Sequence, residues 1–136
     1  MTPFRCRRET KGLILRPGAL GDVLLTLSSV NLLRSCFPGI RLCWVGYPSH
    51  LSWLREISYL EEYRSIDDSL FLPLFSDQPD DRLHAFLASF SFCVAWMKGG
   101  DGYLHRRLSA VFEERWLCTP PFPPAGSGRH AADFIW

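Results

Sequence analysis

The chain has 136 residues and a formal net charge of +1, and 47% of its residues are hydrophobic. This length suits one domain with a substantial core, and the hydrophobic fraction excludes a disordered chain. A net charge this close to zero argues against a large electrostatic surface for nucleic acid. No apolar run approaches the roughly 18 residues that a membrane-spanning helix requires.

The first predicted elements are a strand at 13–15 and a helix at 22–36, with a glycine turn at 18–21 between them. A strand, a glycine turn and a helix in immediate succession form the first half of a βαβ unit. The turn lacks the Gly-Lys-Ser/Thr of a P-loop and the third glycine of the dinucleotide fingerprint. It still offers backbone N–H groups and a positive helix end to a phosphate, a diphosphate or a sugar hydroxyl.

In this helix we expect five apolar side chains to cover the sheet, namely Val23, Leu24, Leu27, Val30 and Leu33. Beyond it, strands and helices continue to alternate. We predict strands at 40–46, 63–66, 92–97 and 112–118, and helices at 48–57, 80–90 and 103–110. The proline-punctuated stretch 69–79 is expected to be a loop with one helical turn.

This alternation predicts an α/β fold, a Rossmann-like doubly wound parallel sheet with right-handed crossovers. Residues 12–118 would form the domain, after a basic, disordered arm at 1–11 and before a linker and the start of a helix at 119–136. Ligands of such sheets bind beyond the carboxyl ends of the strands. The glycine turns at 18–22 and 98–102 both fall on that edge, so we expect them to line one cleft.

Five scattered cysteines form no CxxC pair, which favours free thiols, mostly buried, in a reducing compartment. The basic start lacks the apolar core of a signal peptide, so a cytoplasmic location is expected.

His50 and His84 have no partners at metal-ligand spacing, and no metal site is predicted. We assign three tryptophans to the core, namely Trp44, Trp53 and Trp96. We assign a basic cluster early in the helix at 103–110 to a solvated face, and this cluster consists of His105, Arg106 and Arg107.

Three pieces of the sequence are GALGDVL at 18–24, FPG at 37–39 and LCWVG at 42–46. With the strand before them, they resemble the N-terminal domain of glycosyltransferase family 9, the family of the ADP-heptose:lipopolysaccharide heptosyltransferases. The proline-rich connection into GRHA at 128–131 resembles the family's passage towards its second domain. The resemblance is strong over 13–46 and looser afterwards.

The resemblance implies the N-terminal, acceptor-side half of a two-domain GT-B enzyme whose C-terminal domain holds most of the nucleotide-sugar site. That domain would be this chain's missing partner, and the isolated chain would be inactive or nearly so. The implied reaction is inverting transfer of heptose from ADP-heptose, a substrate rather than a cofactor, to a lipopolysaccharide core or another glycan. A peripheral position at the cytoplasmic face of the inner membrane stays open.

By the same resemblance, Asp22 matches the family's proposed base, whereas a helix N-cap is the structural alternative. Gly18 and Gly21 are candidates to bring backbone N–H groups to the substrate, with simple turn formation as the alternative. Arg16 and Lys98 are candidate phosphate contacts, with solvated strand-end cations as the alternative.

The loop that starts at Lys98 departs from the family, because AWMKGG stands at 95–100 where members carry an Asp and a Gln-Gly. Lys98, Gly99 and Gly100 are nevertheless candidate substrate contacts, because the glycine turn at 98–102 falls on the same edge of the sheet as the turn at 18–22. A non-catalytic remnant or binding module for an anionic sugar or nucleotide is the alternative function.

Overall fold

The computed structural model describes residues 10–57, 59–76, 80–97 and 102–119. Its centre is a sheet of five parallel strands in the order β3-β2-β1-β4-β5. The strands are β1 Lys11–Leu15, β2 Arg41–Gly46, β3 Glu62–Ser65, β4 Phe92–Trp96 and β5 Trp116–Thr119. The helices are α1 Leu20–Cys36, α2 Pro48–Glu56, α3 Asp81–Ala88 and α4 Tyr103–Phe112, with a 3₁₀ helix at Ser69–Phe75. The predicted parallel α/β architecture is confirmed.

Both faces of the sheet are covered, as doubly wound topology requires. Leu13 and Leu15 pack on one side against the 3₁₀ helix, α3 and α4. Ile14 packs on the other side against α1 and α2. All three side chains are 0% exposed, which explains why β1 is a continuous apolar run rather than an alternating one.

The predicted inner face of α1 is wrong at one position. Leu24 is 51% exposed, whereas Thr26 is 0% exposed and faces inward. Thr26 Oγ1 donates a hydrogen bond to the Asp22 carbonyl at 2.8 Å and accepts one from Arg16 Nε at 3.2 Å. A buried polar side chain needs such partners, and Arg16 supplies one from the end of β1.

The 3₁₀ helix and the end of α4 also differ from the sequence prediction. The 3₁₀ helix is longer than the one turn expected, and Pro73 lies inside it with its side chain buried. Phe112 is the last residue of α4 rather than the first of a strand, and it is 0% exposed against the core. Glu113 then adopts φ +58°, which stops the helix, and β5 begins only at Trp116.

Four cysteines lie in the described part of the chain, and all four are free thiols. Cys43 and Cys93 are buried in the sheet, as expected, but Cys36 at the end of α1 is exposed. Within the described residues, no helix combines the length and the apolar character needed to cross a membrane.

Candidate functional site

The chain leaves β1 at Arg16, whose backbone is held by β2. Arg16 N donates to the Val45 carbonyl at 3.0 Å, and the Trp44 indole donates to the Arg16 carbonyl at 3.1 Å. Gly46 completes this contact, because a Cβ atom there would lie 2.8 Å from the Arg16 carbonyl oxygen. The turn at the carboxyl end of β1 therefore has a fixed starting point.

Asp22 lies in the first turn of α1, with its carboxylate directed back over the turn. Oδ2 accepts a hydrogen bond from Ala19 N at 3.1 Å, and Oδ1 lies 3.6 Å from Arg16 Nη2. Ala19 is the N-cap, so the interpretation of Asp22 as the cap residue itself is wrong, because α1 begins two residues earlier, at Leu20. Asp22 instead forms the carboxylate half of a capping box, and its side chain keeps 25% exposure.

Arg16 is the cation beneath this carboxylate and is only 2% exposed. Its guanidinium donates to Thr26 Oγ1 and, at 3.5 Å, to the Trp96 carbonyl. Burial lowers the pKa of Arg16, and the charge of Asp22 raises it in part. A solvated strand-end cation is therefore the wrong description: the guanidinium joins the ends of β1 and β4 to the first turn of α1.

The two glycines of the turn have different surroundings. A Cβ atom at Gly18 would lie 2.8 Å from Asp22 Cβ and 3.0 Å from its Oδ2. At Gly21 a Cβ atom would have no neighbour within 4 Å. Gly18 therefore makes room for the Asp22 side chain, whereas Gly21 is an open position within α1 rather than part of the turn.

His50 is a member of this site that sequence reasoning missed. Its Nδ1 lies 3.0 Å from the Gly18 carbonyl oxygen, and Trp53 Nε1 donates to the His50 carbonyl at 2.8 Å. The Tyr47 ring meets the imidazole edge-on, with 6.2 Å between centroids. The sequence could have indicated His50 only through the topology, because His50 follows β2 closely and β2 neighbours β1 in such a sheet.

Of the second predicted loop, only the strand that leads into it, β4, lies within the described residues. Lys98, Gly99 and Gly100 lie outside the described residues, and their predicted substrate contacts stay predictions. The bond from Arg16 to the Trp96 carbonyl shows that β4 ends beside the β1 turn. The expectation that the two turns share one edge is supported to that extent.

The other candidate side chains have structural partners. Trp44 and Trp96 are buried in the core, as expected, and Trp53 is half-buried. Arg107 donates to the carbonyls of Pro73 at 3.0 Å and Ser76 at 3.1 Å, so it belongs to the packing of α4 rather than to a solvated face. In the described ranges, no three His, Cys, Asp or Glu side chains are grouped so that they could hold a metal ion.

No protein-family model and no curated protein sequence matches the chain. Solved structures do match its fold. A glycosyl transferase family 9 protein from Veillonella parvula superposes with a TM-score of 0.56 at 15% identity, over 93% of this chain and 39% of its own. This chain has the fold of part of a family 9 glycosyltransferase.

Two structures of the E. coli heptosyltransferase WaaC agree with this result. The one with ADP has a TM-score of 0.53 at 15% identity and is covered over 45% of its chain. The one with ADP-2-deoxy-2-fluoro heptose has a TM-score of 0.50 at 16% identity and is covered over 46%. Each comparison covers 93% of the present chain. The chain thus spans less than half the length of these structures, and the resemblance is confirmed at the level of the fold.

Proposed function

We propose that this chain is the acceptor-side domain of an inverting glycosyltransferase. The enzyme would move heptose or a related sugar from ADP-heptose to a lipopolysaccharide core or another glycan. The observation that carries the proposal is the Asp22 carboxylate, which stands at the carboxyl edge of β1, is partly exposed, and is held in place by Arg16 and Ala19 N. Ligands of doubly wound sheets bind at this edge.

In the proposed reaction, an acceptor hydroxyl oxygen attacks the anomeric carbon of the donor sugar. The bond from that carbon to the diphosphate oxygen breaks, and ADP leaves with the electron pair. The hydroxyl proton passes to the Asp22 carboxylate. Each carboxylate oxygen has two lone pairs, so Oδ2 can accept from Ala19 N and still receive the hydroxyl.

The other residues of the site would act through this carboxylate. Arg16 fixes its position from below, Gly18 leaves space for it, and His50 holds the Gly18 carbonyl. We further propose that Lys98 and the glycines after it meet the anionic parts of the substrates, where a cation would stabilise the departing diphosphate.

One observation favours a second candidate, a non-catalytic module that binds an anionic sugar or nucleotide. Both carboxylate oxygens of Asp22 already have a partner, Ala19 N for one and Arg16 for the other. A carboxylate held in this way could serve only to cap α1, with no part in a reaction. Such a module would retain a ligand and release it unchanged.

The two candidates separate in a transfer assay with the polypeptide of the complete natural reading frame. We expect ADP release from ADP-heptose in the presence of a deacylated lipopolysaccharide core glycan, with inversion at the anomeric carbon seen by NMR. UDP-glucose serves as the mismatched donor. Binding of ADP-heptose without transfer would support the binding module, and neither binding nor transfer would contradict both candidates.

A further inference from the structure

A concavity of about 430 Å³ lies at the opposite edge of the sheet, where the strands begin. Lys11 and Arg41, the first residues of β1 and β2, lie on its wall. Arg55 from the last turn of α2 and Arg64 of β3 contribute further cations, and Glu61 and Glu62 contribute two carboxylates. None of these residues takes part in the candidate transferase site.

The two carboxylates already have partners. Glu61 accepts from Arg34 at 3.2 and 3.3 Å and from Leu42 N at 2.8 Å. Glu62 pairs with Arg64 at 3.2 Å. Of the ion pairs among the described residues, none includes the three other cations on the wall, Lys11, Arg41 and Arg55. The concavity therefore carries positive charge that its own acids do not neutralise.

The sheet register brings two of these cations together. Lys11 and Arg41 are directly paired across β1 and β2, so their side chains leave the same face of the sheet as neighbours. Like charges on one rung of a sheet repel each other. An anion between them would replace this repulsion by two charge-assisted contacts.

Cys43 lies on the same face, two residues after Arg41, and lines the concavity. Burial, with a further contribution from Glu62, raises the pKa of its thiol to about 12. At neutral pH Cys43 is therefore an uncharged part of the wall and adds no negative charge that would oppose an anion.

We propose that this concavity binds a phosphate-bearing anion between Lys11 and Arg41, with Arg55 as a third contact. Guanidinium groups bind phosphate oxygens in bidentate fashion, and an ammonium group adds a compact charge. A five-residue strand separates the two edges by about 16 Å, so the ligand would not compete with one at Asp22. The proposal is independent of the transferase function.

The test uses the full chain and two probes at low ionic strength, where exposed charges are least screened. One probe is inorganic pyrophosphate, followed by calorimetry. The other is vesicles of phosphatidylglycerol in phosphatidylcholine, followed by co-sedimentation. The Lys11→Gln/Arg41→Gln double variant should bind at least about tenfold more weakly. The matched control is Arg82→Gln/Arg106→Gln, which removes two exposed arginines elsewhere and should bind like the wild type.

Binding of pyrophosphate alone, of anionic vesicles alone, or of both would support the proposal and identify the source of the phosphate group. The Arg55→Gln variant provides a second test on another element if the double variant does not fold. Binding of neither probe, or equal losses in both double variants, would overturn the proposal.

Discussion

Gly18 lies directly against the side chain of Asp22. A methyl group at position 18 would lie 2.8 Å from Asp22 Cβ and 3.0 Å from Oδ2, closer than van der Waals contact allows. The orientation of the Asp22 carboxylate thus requires that position 18, four residues earlier, has no side chain. The glycine is needed here for space, since its backbone is not in the left-handed region.

The pair Gly18→Ala and Gly21→Ala tests this relationship. Gly18→Ala should displace Asp22 from Ala19 N and lower the free energy of unfolding by about 1–3 kcal/mol. Gly21→Ala is the matched control, because it adds a methyl group with no neighbour within 4 Å inside a helix, and should raise stability by up to about 1 kcal/mol. Urea unfolding measures both, and equal changes would contradict the steric role of Gly18.

Arg16→Met should destabilise the fold more than removal of a surface arginine does. The substitution keeps an apolar side chain of similar length but leaves the Trp96 carbonyl and Asp22 without the buried guanidinium. Because Asp22 is partly exposed, we expect a loss of about 2–3 kcal/mol, below the largest values for buried pairs. Arg82→Met is the control, since this side chain is 74% exposed and its pair with Asp80 should contribute less than about 1 kcal/mol. Similar midpoints of urea unfolding for the two variants would contradict this role.

His50 should be replaceable by asparagine but not by alanine. The asparagine amide nitrogen can occupy the position of Nδ1 and donate to the Gly18 carbonyl, which alanine leaves without that partner. We expect His50→Ala to lose about 1 kcal/mol of stability and His50→Asn to lose much less. Thermal unfolding at neutral pH distinguishes them, and equal losses would show that packing by the ring, rather than the hydrogen bond, is what matters.

Glu61 should contribute to stability in a pH-dependent way. Burial alone would raise the pKa of Glu61, but hydrogen bonds from Arg34 and Leu42 N bring it below its ordinary value of 4.5. A carboxyl group whose pKa is lower in the folded state stabilises above its unfolded pKa, and this stability is lost as pH falls through the folded value. Above pH 4.5 the free energy of unfolding of the wild type should therefore exceed that of Glu61→Gln by up to about 1 kcal/mol, and this difference should shrink as the pH falls below 4.5. Glu56→Gln, an exposed carboxylate on α2, is the control. A constant difference between the wild type and Glu61→Gln from pH 3 to 7 would contradict the assignment.

The parallel α/β class was predictable from the sequence because strand and helix segments alternate, and the strands at the centre of the sheet are short apolar runs. Leu13, Ile14 and Leu15 are apolar on both faces, as a central parallel strand must be. The hydrophobic periodicity did not predict the inner face of α1 correctly, because Thr26 is buried there and Leu24 is exposed. Periodicity scores side chains by hydrophobicity and cannot anticipate that a buried arginine from another element needs a hydroxyl partner.

The candidate site was predictable in its location but not in its geometry. The glycine turn and Asp22 follow β1 in sequence, so local reasoning finds them. His50 and the Trp96 carbonyl are 32 and 80 residues away from the groups they contact, and only the strand order brings them together. The end of α4 was missed because the apolar Phe112 fits a strand as well as a helix, and the left-handed Glu113 has no glycine to mark it.

The most direct test of the account is the kcat of Asp22→Asn for heptose transfer, measured in the polypeptide of the complete natural reading frame. Asparagine keeps an oxygen that can accept from Ala19 N but removes the charge that faces the buried Arg16, so the variant should fold with a lowered melting temperature. Because the amide cannot take the acceptor proton, we predict that kcat falls by about 10²–10⁴. A folded Asp22→Asn variant with wild-type kcat would contradict the role of this carboxylate as the base.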